Sequence, residues 1–186
     1  MDGSGNERPG ATAWMIRNGR NVVLDRLSKR EPVLAMGIRL SRTVDIAKIV
    51  STAGCDVLWI DLEHTPMPID TAAQMCSAAL DAGLVPLVRI AEGDLGSVGR
   101  LLDGGAVGIM APRVETVEQA QRLAAACRFP PHGSRSQIGA LPLFGYAKLA
   151  ARQVNELANQ ATFVAVMIES ALGFQNLPAI AAVPGI

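Results

Sequence analysis

The feature that most constrains this chain is a repeat in which short, uninterrupted apolar runs alternate with segments of helical period. The runs lie at 32–38 (PVLAMGI), 57–60 (VLWI), 84–90 (LVPLVRI), 107–111 (VGIMA) and 163–168 (FVAVMI). They are continuous rather than alternating in polarity, which suits parallel strands covered by helices on both faces. Segments 41–53, 69–82, 96–102, 116–127 and 171–182 carry apolar residues at helical spacing. Ser41 and Thr116 stand where an N-cap is needed, and Gly54 and Gly83 where a helix must stop. A further amphipathic helix is expected at 21–29. One interval is long: 128–162 holds FPPHGSRSQIGALPLFGYAKL and another helix. Connections of that length are usually functional or disordered.

Two architectures build such a βα repeat, a doubly wound open sheet and a (β/α)₈ barrel. No GxGxxG follows the first run and no GxxxxGK[ST] occurs, which disfavours the nucleotide-binding open sheets. With 49% hydrophobic and 18% charged residues the chain can bury a core. Lys plus Arg and Asp plus Glu are 17 each, so there is no basic excess to drive nucleic-acid binding. No apolar run approaches the ~18–20 residues that span a bilayer. The first 20 residues are polar and glycine-rich and read as a flexible lead to a single domain at 21–186. They have no apolar core of a secretory leader, so a cytoplasmic location is expected. Cys55, Cys76 and Cys127 lack CxxC or Cys/His ligand spacing and read as reduced, packed thiols.

Ionisable residues fall at or just past the carboxyl ends of four runs. VLWI leads to Asp61, Glu63 and His64; PLVRI carries Arg89; VGIMAP leads to Arg113; and FVAVMI leads to Glu169. Parallel α/β folds place their active sites at those strand ends. A single polar strand end has an ordinary explanation in exposure. Five groups on one mouth, Asp61, Glu63, His64, Arg89 and Glu169, favour a site. His132, in a PPHG turn, reads as a loop residue.

Several segments carry a resemblance. WIDLEHTP (59–66) resembles the [LI]-I-D-x-E-H signature of the HpcH/HpaI aldolase and citrate lyase family. In the same order, PLVR (86–89), LLDGGA (101–106), IMAP (109–112) with VETVEQA (114–120), FPPHGSR (129–135) and IES (168–170) resemble that family's motifs. The resemblance covers about 33–186. It implies a (β/α)₈ TIM barrel, here with about five of eight strands. It also implies a carbon–carbon lyase, a class II pyruvate-type aldolase acting on a 2-keto acid such as a 4-hydroxy-2-oxo acid through a pyruvate enolate. The expected small-molecule partners are a 2-keto acid and an aldehyde, and the expected assembly is a homo-oligomer.

The resemblance also assigns roles. Glu169 is the expected ligand of a divalent ion, Mg²⁺, Mn²⁺ or Co²⁺; an oxygen donor suits so hard a cation. Arg89 adds positive charge where the keto oxygen becomes negative. His64 is the expected general base, imidazole being the side chain that ordinarily changes charge between about pH 5 and 8. Asp103 is expected to orient His64, Asp61 to join the network around the metal, and Gly133 and Arg135 to shape a substrate loop. Two departures stand out. Met167 replaces the glutamine usual two residues before the ligand glutamate. The chain also ends at Val183-Pro-Gly-Ile186, before the strand that carries the family's second carboxylate ligand. A barrel of about 250 residues closes its own edges. A five-stranded portion is therefore expected to be unstable alone, to aggregate or to pair, and a catalytically impaired paralogue acting as a subunit or binding partner is the alternative reading.

Overall fold

A computed structural model describes residues 21–186. The expected lead at 1–20 lies outside the described residues. Helix α1 (Val22–Ser28) is the first element of the described residues, capped by the Asn21 side chain on the Val23 N–H. The repeat follows as β1 (Ala35–Ile38), α2 (Asp45–Thr52), β2 (Val57–Asp61), α3 (Ile69–Asp81), β3 (Val85–Arg89), α4 (Val98–Asp103), β4 (Gly108–Ala111), α5 (Val117–Ala126), a short 3₁₀ turn (Pro142–Phe144), α6 (Ala151–Ala161), β5 (Phe163–Val166) and α7 (Ala171–Ala181).

The five strands pair in parallel in the order β1-β2-β3-β4-β5. This unbroken sequential order decides between the two architectures. A doubly wound sheet reverses its order at a switch point, whereas a barrel adds each strand beside the last. The chain is therefore a partial barrel, with β1 and β5 as its edges among the described residues.

Alternation along the strands sorts the side chains onto two faces. Leu58, Ile60, Val88, Ile109 and Val164 meet the apolar faces of α2 to α5, on Ala47, Val50, Met75, Cys76, Ala79, Leu101 and Leu123. Val57, Trp59, Val85, Leu87, Met110 and Phe163 face inward, where the lower residues meet α1, Phe129, Leu141, Phe144 and α6. At one level of this inner face Trp59, Leu87, Gly108 and Phe163 are register partners. A Cβ on Gly108 would collide with the Phe163 ring. One position in the layer must therefore be empty for three large side chains to fit.

Thr116 forms the expected cap of α5, as a full capping box with Gln119. Gly54 and Gly83, both at positive φ, close α2 and α3. Ser41 does not cap α2, contrary to expectation. Val44 precedes that helix without a side-chain cap, because 39–42 turns back on itself with Arg42 bonded to the carbonyls of Arg39 and Ser41. All three cysteines are free and buried. Burial pushes the Cys76 thiol pKa well up, and that of Cys127 to about 12, so both are inert packing groups.

Candidate active site

Asp61 and Arg89 are the last residues of β2 and β3 and are register partners. Alternation places both on the inner face, one layer above Trp59 and Leu87. Two parallel bonds join them: Arg89 Nε donates to Asp61 Oδ1 at 3.0 Å, and Nη2 donates to Oδ2 at 2.7 Å. The Glu63 and His64 backbone N–H groups also donate to Asp61 Oδ1, at 3.0 and 3.2 Å. Burial alone would raise the pKa of this carboxyl. The Arg89 bonds and the two backbone donors outweigh that and hold it below its ordinary value. The same pairing raises the Arg89 pKa, with the nearby charges of Glu63 and Glu169 adding to it.

Arg89 is held on every side. Its Nη1 lies 3.1 Å from Glu63 Oε2 and 3.8 Å from the Met167 sulfur, and its guanidinium sits 5.3 Å over the Trp59 ring. Met167 thus fills the place of the usual glutamine with a weak acceptor for Arg89. Glu63, to which the sequence assigned no role, faces two partners, because His64 Nε2 is 3.6 Å from the same Oε2. That separation is too long for a hydrogen bond but close enough for the carboxylate to stabilise an imidazolium. The His64 side chain is half exposed and free to meet a ligand.

Glu169 reaches the same end of the sheet from the loop after β5. Its Oε2 accepts the Arg113 N–H at 3.0 Å. Arg113 has φ of 50°, the left-handed region that costs a non-glycine residue about 1 kcal/mol or more. The carboxylate therefore pins a strained turn above β4. Arg113 itself turns away to Glu92, at 2.9 Å.

Three expected site residues are not brought to this mouth by the chain. Asp103 ends α4 and precedes β4, so it lies where strands begin, while Asp61 and Arg89 lie where strands end. Gly133 and Arg135 follow α5 and share that far end. Asp103 does not meet His64 within the chain. Its Oδ1 accepts from Arg135 Nη2 at 2.8 Å. Arg135 is 5% exposed and stacks 4.4 Å over the Phe129 ring. Burial lowers the Arg135 pKa, with Asp103 opposing the shift. Gly133 is needed for packing, since a Cβ there would strike the carbonyl oxygens of Ala125 and Arg128. Conversely, Arg39 is absent from the expected set, although it directly follows the first apolar run. Its Nε lies 3.5 Å from Asp61 Oδ2.

The donors among the described residues do not by themselves fit a resident divalent ion. Among the described residues no three His, Cys, Asp or Glu side chains are grouped to hold a metal. Asp61 and Glu63 are committed to Arg89. Glu169, with one oxygen on the Arg113 N–H, and Glu92, paired with the Arg113 side chain, remain as the nearby carboxylates among the described residues. A hard divalent ion needs an oxygen-rich shell around it.

The profile of the family described as HpcH/HpaI aldolase/citrate lyase matches residues 39–186. A 4-hydroxy-4-methyl-2-oxoglutarate aldolase from Hapsidospora irregularis is 38% identical over 168 residues, covering 89% of this chain and 62% of that protein. A 2-keto-3-deoxy-L-rhamnonate aldolase from Salmonella gallinarum is 35% identical, covering 84% of this chain and 59% of its own length. An HpcH/HpaI aldolase structure from Desulfitobacterium hafniense superposes with a TM-score of 0.82 at 29% identity, covering 88% of this chain and 63% of that one. Macrophomate synthase superposes at 0.74 and 26% identity, with 88% and 57% covered. The chain thus spans about three fifths of the length of these relatives.

Proposed function

The chain belongs to the HpcH/HpaI aldolase/citrate lyase family, and on that premise we propose that it is a carbon–carbon lyase. It cleaves a 4-hydroxy-2-oxo acid to pyruvate and an aldehyde or ketone, through a pyruvate enolate, and runs the reverse addition. The observation that carries this reading is the Asp61–Arg89–Glu63 clamp at the strand ends, with His64 beside it. In cleavage the C3–C4 bond breaks and its electron pair forms the C2–C3 enolate double bond. The 4-hydroxyl loses its proton as C4 becomes a carbonyl, and a proton returned to C3 completes pyruvate. Atoms and charge balance without an oxidant or reductant.

Each role follows from position. Negative charge grows on the keto oxygen, and Arg89 offers a fixed positive charge whose orientation needs no further ordering. A guanidinium has five N–H groups. Asp61 takes two, Glu63 faces one, and the Met167 sulfur holds another loosely, so one Nη2 N–H remains for a substrate oxygen. His64 is the base for the 4-hydroxyl proton, and Glu63 stabilises the imidazolium that results. A 3.6 Å separation in the free protein is compatible with tightening when substrate binds. Glu169 is the ligand that the resemblance implies for Mg²⁺, Mn²⁺ or Co²⁺, and Arg89 and His64 supply a positive charge and a base beside it.

The test is pyruvate release from 4-hydroxy-2-oxo acids, coupled to NADH oxidation by lactate dehydrogenase, with each of the three ions supplied. Pyruvate formation that disappears in H64N supports the reading. Folded protein that releases none from any such substrate overturns it. A second reading, a catalytically impaired subunit or binding partner in a homo-oligomer, draws on the two sheet edges unpaired among the described residues, with Leu34 and Met36 exposed at β1. Sedimentation at several concentrations tests that assembly.

A further inference from the structure

A cleft of about 890 Å³ lies between the turn that follows α5 and the helix α6. Because Arg128 follows α5 and α6 leads into β5, the cleft lies where the strands begin, at the end of the sheet opposite Asp61, Arg89 and His64. It shares no lining residue with that mouth. One wall is α6, at positions 152, 155, 156, 159 and 160. These recur at the spacing of a single helical face, while Val154, Ala158 and Ala161 turn the other face into the core. The second wall is Arg128 with Pro130, Pro131 and His132. Asn159 fixes the gap between them. Its Oδ1 accepts the Phe129 N–H at 2.8 Å, and its Nδ2 donates to the Phe129 carbonyl at 3.1 Å. Both prolines lack an N–H, so they offer ring carbons and leave the polar contacts to side chains.

The charges in the cleft do not cancel. Glu156 is taken by Arg152, at 2.8 Å. Arg128 has no carboxylate partner among the described residues, and one long bond anchors its guanidinium, from Nη2 to the Gly185 carbonyl at 3.3 Å. Its Nη1 is buried without a partner, and so is Asn155 Oδ1 on the opposite wall. Buried polar groups are ordinarily paired, and an ordinary solvated helix face leaves no such orphans. We propose that this cleft binds a hydroxyl-bearing organic anion, a phosphorylated or carboxylated polyol, with its anionic group on Arg128 and a hydroxyl donating to Asn155 Oδ1. The guanidinium fork suits an oxyanion, and with a single 3.3 Å anchor it turns readily to present Nη1. The proline rings pack against the ligand's carbon face, and His132 and Gln160 add polar contacts at the rim. The volume suits a ligand of sugar size; a bridging water is the competing occupant. Neither contact depends on the chain being an aldolase.

Glucose 6-phosphate and gluconate carry both features, glucose lacks the anion, and inorganic phosphate lacks the polyol. In titration calorimetry of the full chain, the preferred polyol anion should bind at least about ten-fold more tightly than glucose or phosphate. Which of the two is preferred names the anionic group. R128Q should weaken its binding about ten-fold, R128K should keep part of it, and N155A should narrow its advantage over phosphate. Hydrogen exchange of the native protein locates the ligand without a variant, and slower exchange at 151–161 is expected. Protection confined to 61–64 would place the ligand at the opposite mouth and overturn the proposal. So would phosphate binding as tightly as the preferred polyol anion, or an affinity unchanged in folded R128Q. Absence of binding in both experiments would leave the cleft to water and overturn it as well. Should R128Q fail to fold, the exchange pattern of the native chain decides.

Discussion

Arg89 and Asp61 meet through two parallel hydrogen bonds, 3.0 and 2.7 Å long, from adjacent strands at one register level. Asp61 is 2% exposed, so removing its charge leaves a largely buried guanidinium with only Glu63 close by and Glu169 beyond it to oppose it. Such losses cost about 3 kcal/mol. D61N should lower stability by that order in urea unfolding. The folded-state pKa of Asp61 lies below its unfolded value of about 3.9. Its contribution is therefore present above about pH 4 and is lost as pH falls through the folded value. The gap between native and D61N midpoints should be constant near pH 6 and shrink toward pH 3. A gap that stays the same size at pH 3 would contradict the assignment.

His64 and Glu63 should separate chemistry from stability. The His64 side chain is half exposed, so H64N should leave the melting temperature within a few degrees. As the base, its loss should lower the rate of pyruvate release by about 10²–10⁴-fold. E63Q keeps the shape and an oxygen toward Arg89 but removes the charge facing the imidazole. It should therefore lower kcat more than it changes KM. An E63Q enzyme with native kcat would remove Glu63 from the proton step.

The fold was legible because its strands are continuous apolar runs and its helices carry spaced apolar faces, signals set by burial on two sides. The mouth was legible for the same reason. A charged residue closing an otherwise apolar strand, such as Asp61 or Arg89, stands out against its neighbours. The rule also marks Arg39, just past the first run. What pattern alone did not give is which residues touch. Asp103, Gly133 and Arg135 follow helices rather than strands, which in a βα repeat sends them to the opposite end of the sheet. Glu63 shows its role only once β2 and β3 are in register and Arg89 comes beside it. Ser41 has the right residue type for a cap, but the turn at 39–42 puts it in the wrong place.

At that opposite end, Asp103 is the one acid paired with the buried Arg135, whose Nε has no partner among the described residues. D103A should cost about 3 kcal/mol of stability in urea unfolding. D103N, which keeps an oxygen toward Arg135 Nη2, should cost less. If Asp103 acts mainly through this pair, the pH profile of pyruvate release should keep its shape in D103N. A displaced basic or acidic limb would instead tie Asp103 to His64 and restore the expected polarising role.

Gly108 is the small member of the inner layer it shares with Trp59, Leu87 and Phe163. A methyl group there meets the Phe163 ring and the Leu87 side chain. G108A should lower stability by about 1–3 kcal/mol through overpacking. Pairing it with F163L, which shortens the obstructing side chain, should recover part of the loss. Additive losses in the double variant would show that the two positions do not share a layer.

Glu169 carries two loads that substitutions can separate. Its Oε2 accepts the N–H of Arg113, which holds a left-handed backbone at φ of 50°. Glutamine can keep that bond through its amide oxygen, whereas alanine leaves the turn unpinned. E169Q should therefore melt within a few degrees of the native protein, and E169A should lose about 1–2 kcal/mol. R113G should recover much of that loss in the double variant, because glycine adopts positive φ without strain. Both Glu169 variants should lose pyruvate release, since each removes the carboxylate that the resemblance implies as the ligand of the divalent ion. Full activity in E169Q would confine Glu169 to the turn and remove it from the chemistry.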